Sequence, residues 1–169
     1  MREYREYSGD ELLYYMKEAY KEAQTAYDLG EVPVGAVIVW DGEIVARAHN
    51  TRETGKNALC HAELSAIDGA CKKLGGWRLH KADLFVTLEP CIMCAGACIN
   101  ARINRVYYGA PDKRYGCFGG FADLREKDFN HLPVVYGGIM EEECAELMKR
   151  FFEKLRIKNS EGGASSPCS

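Results

Sequence analysis

The chain has 169 residues, of which 47% are hydrophobic and 28% are charged, values typical of one compact folded domain rather than a disordered segment. Its formal net charge of −3 argues against a protein that coats nucleic acid without selectivity, because such proteins are usually basic overall. No apolar run is long enough to span a bilayer and the charged N-terminus lacks the apolar core of a secretory signal, so we expect a cytoplasmic protein with no membrane association.

The first third of the chain predicts a helix followed by a hairpin. Ser8 and Glu11 have the spacing of a capping box, apolar residues then recur at helical spacing, and Gly30 fits the position that follows a helix end. Strands are predicted over 35–40 and 43–49, because Asp41 and Gly42 between them are typical hairpin-turn residues. Residues 50–59 are predicted to form a loop.

The rest of the chain alternates between helices and strands. Helices are predicted over 61–74, 91–101 and 141–156, and strands over 82–88, 103–108 and 133–136. This alternation predicts an α/β fold with one sheet of about five strands and helices on both faces. Residues 159–169 are predicted to be a flexible tail, which leaves one domain over 1–158, with its function at strand-to-helix junctions on one sheet edge.

Two of the predicted helices begin with residues that can bind metal. The first begins with His61, and the second carries Cys91 and Cys94, which are three residues apart and therefore share one helix face. The helix dipole favours thiolates at a helix N-terminus. Neither motif is decisive alone, but together they offer one imidazole and two thiolates. A catalytic zinc uses three protein ligands and leaves its fourth position for water.

The eight cysteines of the chain are expected to be reduced thiols and metal ligands, because no secretory signal points to an oxidising compartment. A structural zinc would need a fourth ligand, for which Cys60 is the rival candidate. Cys60 adjoins His61, and its side chain is expected to point elsewhere, which favours the open catalytic site. No role is predicted for Cys60 or for the remaining cysteines, which are Cys71, Cys98, Cys117, Cys144 and Cys168.

Glu63 favours catalysis over a purely structural metal site. A carboxylate two residues after His61 can approach a metal-bound water while leaving the metal to softer ligands. Such a group can take a proton from the water and return it to a substrate. An isolated Glu at a helix start would more often be a solvated or capping residue, but beside these ligand types the catalytic interpretation is favoured.

Zinc nucleobase deaminases share the signature H-x-E…P-C-x-x-C, in which the Glu is the general acid and base, and both halves occur here. Further segments resemble the bacterial tRNA-specific adenosine deaminases in order and approximate spacing: EVPVGAVIV, HAELSAI, FVTLEPCIMCAGA and RVYYGAPDKRYG. The resemblance covers about residues 8–157. It implies a cytidine deaminase-like three-layer α/β/α sandwich with a central mixed sheet of about five strands.

The resemblance also implies a reaction and its metal. It implies that His61, Cys91 and Cys94 hold one Zn²⁺ per subunit and that Glu63 shuttles protons. The implied reaction is hydrolytic deamination of adenosine to inosine at the wobble position of a tRNA anticodon loop. A homodimer without an organic cofactor is implied as well.

Two further substrate contacts are carried over from the family. The resemblance places Asn50 in the base pocket, where a carboxamide can donate to and accept from a purine edge. It places Asp112 against the sugar and backbone of the substrate. From the residues alone, Asn50 could equally be a turn residue at a strand end, and Asp112 an ordinary turn residue after Pro111.

Positive charge is concentrated in two segments, with four basic and one acidic residue over 102–114 and five basic and one acidic residue over 149–158. Together with Phe151 and Phe152 these segments fit an RNA loop, whose phosphates need cations and whose bases stack, although either phenylalanine could instead lie in the core. A deaminase of a free nucleobase or nucleoside would use the same zinc and Glu63 without the basic segments. A non-catalytic zinc module that binds RNA would have no use for Glu63.

Overall fold

The computed structural model describes residues 5–162. Its elements in chain order are α1 (Gly9–Asp28), β1 (Gly35–Trp40), β2 (Glu43–His49), α2 (Ala62–Leu74), β3 (Ala82–Leu88), α3 (Ile92–Asn100), β4 (Arg105–Ala110), a short 3-10 helix (Leu124–Glu126), β5 (Val134–Tyr136) and α4 (Glu141–Gly162). No helix within residues 5–162 combines the length and apolarity needed to cross a bilayer.

The five strands form one mixed sheet in the order β2-β1-β3-β4-β5. Strand β1 is antiparallel to both of its neighbours, whereas β3, β4 and β5 run parallel. Side chains alternate between the faces of a strand, so in β1 Val37 packs against α1 while Ile38 joins the core under α2 and α3. Helix α4 contacts α1 through Phe151 and Tyr27, on the same face. The predicted three-layer α/β/α sandwich is therefore confirmed.

One predicted helix start is confirmed, and the ends of three other helices differ from the predicted ones by one or more residues. The capping box predicted at Ser8 is present, with the amide of Glu11 donating to Ser8 Oγ at 3.2 Å. His61 and Cys91 are the N-cap residues that precede α2 and α3 rather than the first helical residues. Helix α4 continues to Gly162, because residues 157–161 include no strong helix breaker. The first four residues of the predicted tail are thus helical, and 163–169 lie outside the described residues.

The basic segment 102–114 does not form one surface, which corrects the sequence interpretation. Strand β4 carries this segment across the sheet, so its ends lie at opposite edges. At one edge Arg105 is buried, and its Nη2 donates to Asp83 Oδ2 at 2.6 Å. Beyond the other end of β4, the exposed basic residues of the segment are Lys113 and Arg114. Fewer basic side chains are therefore available for an RNA-binding surface at this end of β4 than the number of basic residues in 102–114 indicates.

Helix α1 lies directly on the backbone of β1 at Gly35. A Cβ atom at this position would lie 2.1 Å from the carbonyl oxygen of Ala19 and 2.3 Å from the amide nitrogen of Ala23. Both are backbone atoms of α1, so no side-chain rotation could relieve the overlap. Gly35 thereby sets how closely the helix approaches the sheet.

We expect Gly35→Ala to lower the free energy of unfolding by about 3 kcal/mol, because the added methyl group forces α1 away from the sheet. Gly96→Ala in α3 is the matched control, since its Cβ would meet no atom within 4 Å. The control should be neutral or stabilise by up to about 1 kcal/mol, as Ala is the better helix former. Urea denaturation of both variants measures the difference, and equal stabilities would contradict the close approach.

Candidate active site

The candidate site lies at the sheet edge where β3 ends and where α2 and α3 begin. Helix α3 follows β3 after only Glu89, Pro90 and the N-cap residue Cys91. Helix α2 begins directly after His61, which follows the loop after β2 and occupies the N-cap position without a capping side-chain hydrogen bond. Strand β1 starts at the same edge, since the amide of Gly35 donates to Thr87 Oγ1 in β3 at 3.1 Å. Two helix N-termini thus converge on one point.

The predicted metal ligands come together at this point. Nδ1 of His61 lies 3.7 Å from Sγ of Cys91 and 3.6 Å from Sγ of Cys94, and the three atoms lie within 4.8 Å of one another. A tetrahedral zinc with ordinary Zn–S and Zn–N bond lengths would separate its nitrogen and sulfur ligands by about 3.6 Å. The donor set and the spacing therefore both fit one zinc ion.

The rival ligand Cys60 takes no part in this cluster. Its Sγ lies near Gly55 in the loop before α2, and the cluster contains only His61, Cys91 and Cys94 among the described residues. Three protein ligands leave one tetrahedral position open, which is the arrangement of a catalytic rather than a structural zinc.

Charge is shared unequally between the ligand side chains. A hydrogen bond from Cys94 lowers the pKa of Cys91 to about 4, whereas that same hydrogen bond and burial raise the pKa of Cys94. A hydrogen bond with Cys91 raises the pKa of His61 above its ordinary value. The neighbouring protein groups therefore favour the thiolate form of Cys91. Because zinc binds deprotonated thiols and neutral imidazole, metal binding at this site would release protons.

Glu63 lies in the first turn of α2 beside the ligands, and only 4% of its surface is exposed. Burial raises the pKa of Glu63 to about 7, and the negative charge on Cys91 adds to the rise. Its carboxylate is not part of the three-residue metal cluster within residues 5–162. A carboxyl group next to a metal site, but not in its ligand set, can exchange protons with what the metal binds.

Asn50 is buried at the end of β2, and local backbone groups use part of its hydrogen-bonding capacity. Its Nδ2 donates to the carbonyl of Val32 at 3.3 Å, and its Oδ1 accepts from the amide of Arg52 at 3.3 Å. The contact with Arg52 is that of a turn residue, whereas the contact with Val32 ties Asn50 to the segment before β1. A carboxamide has a second N–H and a second lone pair, so contact with a base remains geometrically open.

The loop that begins at Asn50 is also held by a buried carboxylate, that of Glu31. The amides of Glu53 and Thr54 donate to Glu31 at 3.2 and 2.6 Å, and Glu31 itself is fully buried. Burial acts to raise the pKa of Glu31, but the two backbone hydrogen bonds outweigh it and the pKa lies below its ordinary value. The loop is therefore fixed where it approaches His61.

Asp112 lies in the loop after β4, at the same sheet edge. Its Oδ1 accepts from the amides of Arg114 and Tyr115 at 2.9 and 3.2 Å, which is the geometry of a local turn. Its own amide donates to Glu89, a residue to which the sequence interpretation gave no role. The available signal was a carboxylate directly after a mostly apolar strand, of which all residues except Leu88 are buried.

A basic groove lies between α4 and the end of α1. It is an open surface depression of about 510 Å³, lined by three basic residues, two acidic residues, Tyr27 and Ile157; the charged ones are Arg150, Glu153, Lys154, Lys158 and Glu161. The cationic groups of Arg150 and Lys154 lie 5.5 and 5.3 Å from the ring centre of Tyr27. Phe151 is buried against Tyr27, as its alternative interpretation held, and Phe152 is 40% exposed. The groove lies on the sheet face that α1 and α4 cover, opposite the face of α2 and α3.

Comparisons with known proteins agree with this geometry. The zinc-binding region of cytidine and deoxycytidylate deaminases matches residues 10–110. A tRNA-specific adenosine deaminase of Bacillus subtilis (strain 168) is 54% identical over 150 residues, which cover 88% of this chain and 92% of that protein. Another, from Agrobacterium fabrum, is 43% identical over 148 residues, covering 87% and 97%.

Solved structures share the fold. A chain studied for A-to-I editing by tRNA:A34 deaminases at the wobble position of transfer RNA matches with a TM-score of 0.74 and 44% identity, covering 79% of this chain and 98% of that one. A guanine deaminase from Nitrosomonas europaea matches with a TM-score of 0.70 over 89% and 88% of the chains, but at 19% identity it shows the fold alone. The resemblance found in the sequence is confirmed: the chain belongs to the zinc-binding cytidine and deoxycytidylate deaminase family, in the branch that contains the tRNA-specific adenosine deaminases.

Proposed function

We propose that this protein is a zinc-dependent hydrolase that converts adenosine to inosine at the wobble position of a tRNA anticodon. The observation that carries the proposal is the cluster of His61, Cys91 and Cys94 with Glu63 beside it but outside the ligand set. The relatives named tRNA-specific adenosine deaminases support the choice of substrate, since the similarity extends over nearly their whole length.

In this proposal His61, Cys91 and Cys94 hold one zinc ion per chain. When bound in an open site, zinc lowers the pKa of water from 15.7 to about 7 and so supplies a nucleophile at neutral pH. Glu63 accepts a proton from the attacking water and delivers it to N1 of the adenine. It then moves the second water proton to the amino group on C6, which leaves as ammonia while the ring becomes the keto form of inosine.

The substrate would reach the site as a single flipped-out nucleotide, since the target base cannot react within a stack. Asn50 and Asp112 come from the two loops at the site edge. We assign Asn50 to the purine edge, through its second N–H and lone pair, and Asp112 to the sugar and backbone of the nucleotide. The rest of the anticodon loop would lie against exposed Lys113 and Arg114 and the basic groove of α4.

The proposal includes a cytoplasmic homodimer. The dimer is proposed from the resemblance to the bacterial tRNA-specific adenosine deaminases. A cytoplasmic location follows from the substrate, because the proposed partner is the tRNA pool.

The first test concerns the metal. We expect about one zinc per chain in the wild type and almost none in Cys91→Ala/Cys94→Ala, because a single imidazole cannot retain the ion. Cys60→Ala is the matched control and should keep full zinc content, since its sulfur lies outside the cluster. Metal analysis by mass spectrometry after gel filtration measures both. Full occupancy in the double variant would refute the ligand assignment.

The second test separates the proton shuttle from the ligands. Glu63→Gln should keep its zinc and its fold but lose about 10²–10⁴-fold in turnover, as expected when a general acid and base is removed. Inosine formation is measured on tRNA transcripts, alongside free adenosine, cytosine and guanine. Loss of zinc would make Glu63 a ligand, and near-normal turnover would remove it from the mechanism. Rapid turnover of a free base without activity on tRNA would replace the proposed substrate.

The third test concerns the RNA surface. Arg150→Gln/Lys154→Gln removes two charges from the groove, and the slope of log K against log salt for tRNA binding should flatten by about 1.4 if both contact phosphate. Lys149→Gln/Arg156→Gln removes the same charge from another face of α4 and should change the slope much less. Filter binding at several salt concentrations measures both variants. Equal changes in the two would mean that overall charge, not this groove, attracts the RNA.

A further inference from the structure

Glu89 is a buried carboxylate that the proposed chemistry does not use. It lies between the end of β3 and the zinc-ligand segment, and its relative exposure is 1%. A buried carboxylate is costly unless hydrogen bonds compensate it. Here the compensation comes from backbone N–H groups of a single loop, the residues 111–120 that follow β4, which we call the β4 loop.

Three amides of the β4 loop converge on this one side chain. The amide of Asp112 donates to Oε2 at 2.9 Å, and those of Phe118 and Gly120 both donate to Oε1 at 2.9 Å. These donors are spread over most of the loop, so one carboxylate fixes both its beginning and its end. Hydrogen bonds to an ionised acceptor are about twice as strong as neutral ones.

The β4 loop is shaped to accept this carboxylate. A Cβ atom on Gly116 would lie 2.4 Å from the carboxyl carbon of Glu89, and one on Gly120 would lie 2.3 Å from its Oε2. Both positions therefore need glycine for the loop backbone to reach the acceptor. The anchor thus depends on the loop sequence as well as on Glu89.

The same loop is joined to the zinc-ligand segment. The amide of Cys117 donates to the carbonyl of Pro90 at 2.9 Å, and Gly116 forms an isolated β-bridge with Cys91. Three consecutive residues, Glu89, Pro90 and Cys91, thereby hold the loop against the metal site. Asp112 and Tyr115, which is 68% exposed, are carried at a fixed distance from the zinc ligands.

We propose that Glu89 is a positioning residue that holds the β4 loop in the place where it receives the nucleotide substrate. The inference rests on the proposed function in one respect, namely that the β4 loop contacts the substrate. Glu89 acts through Asp112 and its neighbours, and it touches neither the reacting base nor the metal.

The test is Glu89→Gln, which keeps the side-chain shape but replaces one accepting oxygen with an NH₂ group that faces backbone donors. We expect the KM for tRNA to rise about tenfold while kcat per bound zinc stays within about twofold, because a binding contact common to ground and transition states is weakened. Amide hydrogen exchange should accelerate within residues 111–120 and remain unchanged in β1 and β3. Zinc content should also remain unchanged.

Two further variants make the result specific. Asp68→Asn removes an exposed ion pair with Lys72 in α2, away from the β4 loop, and should leave KM near the wild-type value. Gly120→Ala disturbs the loop from its own side, because its Cβ would lie 2.3 Å from both Glu89 Oε2 and the carbonyl oxygen of Asp112, and should raise KM at least as much as Glu89→Gln does. If Glu89→Gln folds too poorly to measure, Glu89→Asp, whose carboxylate is one methylene shorter and cannot reach all three amides, decides the matter.

Several outcomes would overturn the inference. A lower active fraction with unchanged KM would mean that Glu89 only stabilises the fold, and lost zinc would place its role at the metal. Unchanged exchange within residues 111–120 would refute the anchor itself. If the wild type forms no inosine in tRNA, the proposed function fails separately, and the exchange experiment still shows whether Glu89 holds the loop.

Discussion

The site depends on two helix N-termini facing one point at one edge of the sheet. Helix α3 must begin there because it follows β3 after three residues, and α2 is brought there by the β1–β2 hairpin. Small side chains such as Ala62, Ala66 and Ala95 are buried between these helices and the sheet, so the helices can approach closely. The free N–H groups and the dipoles of both ends favour negative charge. The separations of 3.6 and 3.7 Å between imidazole and thiol groups follow from this convergence.

The three candidate metal ligands can be predicted from the sequence because each belongs to a short motif of neighbouring residues. His61, Cys91 and Cys94 belong to two short motifs, and each motif occupies a predicted helix start, so only the joining of two helix ends had to be assumed. The capping box at Ser8 was predictable for the same reason, since Glu11 is three residues away. Features of this kind require no knowledge of which elements become neighbours.

Other features depend on neighbours that are distant along the chain. Arg105 adds to a run of positive charge in the sequence, yet Asp83 of the adjacent strand neutralises it inside the protein. Phe151 is equally compatible with an RNA surface or a core until Tyr27 is placed beside it. Glu89 looks like an ordinary charged residue at a strand end until a loop more than twenty residues later surrounds it. Contacts between distant parts of the chain decide all three cases.

Each of the two loops at the site edge is held by a buried carboxylate that accepts hydrogen bonds from backbone amides. Glu31 holds the loop that begins at Asn50, and Glu89 holds the β4 loop. Every residue except proline has the same backbone N–H group. Hydrogen bonds of this kind therefore do not depend on most of the side chains in the loop. Exposed positions such as Lys113 and Arg114 can therefore diverge between relatives without loosening the frame. The exceptions are proline at the donor positions, where it would remove the N–H, and any side chain at Gly116 or Gly120, where a Cβ would overlap Glu89. Substitutions at exposed loop positions can therefore change the substrate preference without changing the backbone around the metal site.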